Sequence, residues 1–172
     1  MAVDPFLTLR VETLSDATKA TFSGALGLAL EGPLPVPPEV DGSWITSTIF
    51  FSGDWAGLVR LDLPRDLAAA VTADWRSEKP AELEKAAVND AMGELVNTVA
   101  GILKPSLEGI RLISMPRVSD TSKALPLKGK SDLKGCTLRC GNHLLQLSVW
   151  KCPPQFKMAV VPKPDLRTRA ST

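Results

Sequence analysis

At 172 residues the chain has the length of one domain and room for a real core, and at 44% hydrophobic and 23% charged it is composed like an ordinary globular protein. Its 20 basic and 19 acidic residues leave a net charge of +1, which removes the electrostatic case for binding nucleic acid or an anionic membrane. The nearest approach to a signal-peptide core, "FSGALGLAL", is too short to span a bilayer and follows Asp4, Glu12 and Asp16, so a soluble, cytoplasmic protein is expected.

In chain order, Val11, Leu14, Thr18, Phe22, Ala25 and Leu26 are spaced for an amphipathic helix over 11–27, with a glycine to stop it. "EGPLPVPPEVDG" holds four prolines and reads as an extended connection. "WITSTIFFSGDWAGLVRLDLP" gives two β-rich runs broken at Ser52-Gly53-Asp54, an antiparallel hairpin. Pro64 and Asp66 open a short helix, and Pro80 is expected to open a long one of about 25 residues, which Pro105 helps to close. A strand over "GIRLISMPRV", a polar loop over 119–132, a hairpin turning at Gly141-Asn142 and a last strand, "FKMAVV", complete the pattern. The expected fold is α+β: one mostly antiparallel sheet with two long helices on one face, built from two similar halves of helix plus strands. Residues 1–163 are expected to form the domain, and the polar tail 164–172 to be disordered.

Three cysteines, an odd number, fit a reducing compartment better than a disulfide framework. Cys136, Cys140, Cys152 and His143 are nevertheless candidate zinc ligands. Strand parity puts Cys136, Cys140 and His143 on one face with Leu138, Leu145 and Leu147, and Cys152 on the other if the strand runs on unbroken. A core role is therefore expected for the thiols, and no metal.

The long helix raises the functional question. At about 100° per residue, Asp90, Glu94, Asn97 and Gly101 of "NDAMGELVNTVAGILK" fall in one row, while Val88, Met92, Leu95, Val99 and Ile102 cluster opposite. A solvated face explains polarity by itself. An idle face, however, favours long Lys, Glu, Gln and Arg side chains, whereas Ala86, Ala87, Gly93, Ala100 and Gly101 flank Glu94 and Asn97. Gly93 and Ala100 are expected to lie outward on either side of it, leaving a strip over which a partner's backbone can pass. No His or Cys stands in the segment, so a nucleophile–base pair is excluded locally, and no phosphate-cradling P-loop occurs in the chain. An Asn amide both donates and accepts hydrogen bonds, which suits holding a water in a line of attack. A neighbouring Glu can pair with a partner's lysine.

"DAMGELVNTVAG" resembles the helix motif of the CheX/CheC/FliY family of chemotaxis phosphatases: Asp or Ser, three residues, Glu, two residues, Asn, and a Gly four later. "FFSGDWAGLVRLDLP" and "LRCGNHLLQLSVW" are similar to that family's hairpins, and the resemblance spans roughly residues 11 to 161. It implies a phosphatase of the phosphorylated aspartate in a CheY-type receiver. Asn97 would orient the attacking water, Glu94 would pair with the receiver's lysine, and Asp90 would lend a supporting contact. Gly93, Ala100 and Gly101 would border the docking strip. Mg²⁺ would be held by the receiver, with no cofactor on this chain, and a homodimer is expected. On the first helix Lys19 and Phe22 stand where a second Glu and Asn would be, so one site per protomer is expected. The alternative reading is a non-catalytic receiver-binding adaptor or flagellar-switch module of the same fold.

Overall fold

The computed structural model describes residues 4–35, 41–123 and 132–153. The expected last strand over 156–161 and the tail 164–172 lie outside them.

Two helices open the chain: α1 (Pro5–Thr8), capped by the Asp4 side chain, and α2 (Val11–Leu26). Gly27 takes φ 64°, and its N–H bonds the Ser23 carbonyl while Leu28 N–H reaches back to Phe22, so the predicted stop is a left-handed C-cap. The proline-rich connection is partly a strand. β1 (Glu31–Leu34) pairs with a partner about a hundred residues later in the chain, on an edge where proline's missing N–H removes no central ladder bond. β2 (Asp41–Gly53) and β3 (Ala56–Pro64) form the expected hairpin, and α3 (Arg65–Arg76) follows.

The long helix is shorter than its pattern suggested. Pro80–Glu82 makes a separate 3-10 turn, Leu83 and Glu84 are extended, and α4 runs Lys85–Leu103, 19 residues. The expected single strand over 109–118 is two strands. β4 (Ile110–Ile113) and β5 (Arg117–Lys123) both pair with β2, and the chain breaks step at Ser114–Pro116, where proline cannot donate to the ladder. The first residues of the expected polar loop, 119–123, therefore belong to β5. β6 (Leu133–Cys140) and β7 (His143–Lys151) turn as predicted, with Cys140 opposite His143.

These strands form a seven-stranded antiparallel sheet in the order β1-β6-β7-β3-β2-β4, with β5 beside β4 on β2. The late hairpin is interior to the sheet, because β1 covers β6 and β3 covers β7. Ile45, Ile49, Val59, Leu61, Leu63, Leu145 and Leu147 point from the sheet into one core with Leu14 and Phe22 of α2 and Met92, Leu95, Val96 and Val99 of α4. The two long helices thus pack on one face, α2 over β6 and β7, α4 over β2, as the α+β reading requires. On the other face Asp62, 1% exposed, is neutralised by Arg60 at 2.8 Å and accepts from the Thr46 hydroxyl. No helix of the described residues is long and apolar enough to cross a membrane.

Candidate functional site

α4 is held from below and at its start. Met92, Leu95, Val96, Val99 and Leu103 are fully buried, which offsets roughly 1 kcal/mol for each helical glycine and rather less for each Asn or Asp in the same helix. At the N-terminal end, Lys85 Nζ lies 2.8 Å from Asp120 Oδ2 of β5, and Arg65 Nη2 of α3 lies 2.5 Å from Oδ1. Hydrogen bonding from Lys85, aided by Arg65, holds the Asp120 carboxyl below its ordinary range.

On this base Asp90, Glu94, Asn97 and Gly101 are all exposed, so the predicted row exists. Neither Glu94 nor Asn97 has a side-chain hydrogen bond or ion pair among the described residues. Only the Glu94 backbone carbonyl is engaged, accepting from the Thr98 hydroxyl at 2.8 Å. Two exposed polar side chains one turn apart can orient a water and meet a cation.

The borders of the row differ from expectation. Gly93 and Ala100 do not stand outward on either side; both are buried, Ala100 at 3% exposure. Seven residues is two helical turns, so they share one flank, the flank that faces the break before β5. A Cβ on Gly93 would lie 3.3 Å from Pro116 Cγ. Conversely Ile102, expected inside, is 43% exposed, and Val88 is only partly buried. Gly101 has nothing within 4 Å of its Cβ position.

A paired stability prediction follows. Gly101→Ala should stabilise the fold by about 1 kcal/mol, the ordinary helical gain. Gly93→Ala should gain little or nothing, because its methyl group presses on Pro116. Urea denaturation of both variants checks this, and equal gains would contradict the packing.

Sequence reasoning missed the other wall of this region. Asn89, Met115, Pro116 and Val118 line a groove beside Asp90, Gly93 and Glu94. Pro116 inside a strand pattern was the signal that the strand breaks there.

α2 offers no second pair. Phe22 is fully buried, and Lys19 Nζ donates to the Gly32 carbonyl at 2.5 Å. The thiols belong to packing: Cys136 and Cys140 are buried, and desolvation pushes the Cys136 thiol up to about 12. Cys152 lies beyond the end of β7, its N–H bonded to the Ala56 carbonyl. Among the described residues no group of three or more His, Cys, Asp or Glu could hold a metal ion.

No curated protein sequence matches the chain. Solved structures match its fold. The chemotaxis protein CheX from Vibrio vulnificus superposes with a TM-score of 0.68 at 17% identity, over 88% of this chain and 100% of that one. CheX from Desulfovibrio desulfuricans gives 0.63 at 15% identity, over 83% and 98%. The CheX–CheY–BeF3–Mg²⁺ complex from Borrelia burgdorferi gives 0.62 at 13% identity, over 84% and 100%. Residues 45–139, which carry the hairpin, α3, α4 and most of the sheet, match the family model described as chemotaxis phosphatase CheX. The chain belongs to the CheX family of chemotaxis phosphatases.

Proposed function

We propose that this chain is a hydrolase that removes the phosphoryl group from the phosphoaspartate of a CheY-type response-regulator receiver in chemotaxis signalling. One observation carries the reading: Glu94 and Asn97 stand exposed, a turn apart and without a side-chain partner among the described residues, on a helix anchored by the fully buried Met92, Leu95, Val96 and Val99. Phosphoryl hydrolysis asks a protein mainly for alignment and electrostatics. The Asn97 amide supplies alignment by holding a water in line with the acyl phosphate. The Glu94 carboxylate supplies register by pairing with the receiver's lysine, and Asp90 lends a supporting contact. Gly101, bare to solvent, admits the receiver's backbone close to the helix.

The relative from Borrelia burgdorferi, crystallised with CheY, BeF3 and Mg²⁺, supports a receiver of this class as partner and fits a Mg²⁺ carried by that receiver. A non-catalytic adaptor would need the face but not an aligned amide. A homodimer is part of the same proposal. One edge open to it among the described residues is β4, where Leu112 and Ile113 are exposed.

Glu94→Lys tests the pairing. Like charge opposite the receiver's lysine should weaken binding at least about tenfold. Titration of labelled receiver reads this, and unchanged affinity would mean that Glu94 faces something else.

A further inference from the structure

The surface beside the Glu94–Asn97 row is a groove, not a plane. It runs between α4 and the Ser114–Pro116 break, with a volume of ≈ 560 Å³. Its floor is deep because Gly93 has no side chain; a Cβ there would meet Pro116 Cγ at 3.3 Å and Val118 Cγ2 at 4.0 Å. Its walls differ in chemistry. On the helix side stand Asp90 and Glu94, exposed carboxylates with no cation paired to either among the described residues. On the other side stand Pro116 and Met115, the latter 82% exposed. Leu112 and Ile113 continue this apolar exposure along β4, at 47% and 36%.

An apolar ligand filling this groove would leave carboxylates buried without partners, a costly outcome. A compact cation would leave the Met115 wall in water. A lysine or arginine side chain matches both walls, since its aliphatic stem packs on apolar surface while its head group stays with the charge. We propose that the groove is a second contact of the docking surface. It receives a lysine or arginine of the receiver, distinct from the lysine opposite Glu94, with the stem along Met115 and Pro116 and the head group at Asp90. This rests on the reading that the Glu94–Asn97 row faces the receiver. It makes Met115 and Asp90 selectors among receivers, acting on affinity and not on the chemical step.

The test titrates a CheY-type receiver, activated with beryllium fluoride and Mg²⁺, against wild type, Met115→Ser, Asp90→Asn and Asn97→Ala at low and high salt. Met115→Ser should weaken binding about tenfold at either salt, the loss of one half-buried apolar contact. Asp90→Asn should weaken it about threefold at low salt and hardly at all at high salt, as a screened rim charge does. Both positions are exposed, so melting temperatures should not move. Wild-type affinity in both variants overturns the groove while leaving the Asn97 reading untouched. Wild-type phosphate release by Asn97→Ala in a parallel assay with phosphorylated receiver, with Met115→Ser and Asp90→Asn still weakened in the titration, sinks the Asn97 reading and leaves the groove standing. A wild-type chain that does not bind the receiver overturns both. A Met115→Ser change that alters the mass of the free chain by light scattering, and not receiver affinity, assigns the groove to a second copy and overturns the proposal.

Discussion

Asn97→Ala should lower kcat for phosphate release at least about a hundredfold while leaving receiver affinity within about twofold. The two halves of that expectation have one source. Asn97 is exposed and has no side-chain partner among the described residues, so truncating it removes neither a core contact nor a cap. A water held in line matters chiefly in the transition state, and an interaction made only there appears in kcat and not in binding. Alanine is also the better helix former, so the variant should be slightly more stable. Single-turnover phosphate release alongside titration of the unreactive activated receiver separates the two quantities. Equal losses in both would assign Asn97 to binding.

Ala100→Arg should destabilise the fold by about 3 kcal/mol, lowering the melting temperature by about 10 °C. Ala100 is 3% exposed and shares its flank with Gly93. An arginine there has to displace packed neighbours or carry its charge into the core before its stem can reach water. Lost phosphatase activity in this variant would therefore say nothing about docking. Unchanged stability would contradict the burial of that flank. The adjacent Gly101 is the informative neighbour, because a side chain added there meets open space.

These two residues mark how far the sequence carries the argument. Asn97 was legible because helical periodicity is local: residues four and three apart share a row whatever surrounds the helix. The Gly27 cap and the hairpin turn at Gly141-Asn142 were legible for the same reason, since glycine and asparagine signal the backbone geometry in place. The burial of Ala100 and Gly93 is not a local property, because the width of an exposed strip depends on what packs along its flank: the core for Ala100 and Pro116 for Gly93. The β-rich run over 109–118 hides the break at Ser114–Pro116, which only Pro116 signals. β1 was read as mere connection because its partner, β6, lies far along the chain and no local pattern announces the pairing. Pro80 fits a helix start, yet the backbone spends it on a 3-10 turn and begins α4 at Lys85, where Asp120 and Arg65 converge. Local grammar gave the row; tertiary packing gave its borders.

The central claim is turnover, and one measurement addresses it most directly: phosphate loss from a phosphorylated CheY-type receiver present in large excess over this chain. The account predicts that each chain clears many receivers, at a rate proportional to chain concentration and far above the receiver's own decay. Decay at the spontaneous rate, or loss that stops at one receiver per chain, would contradict it.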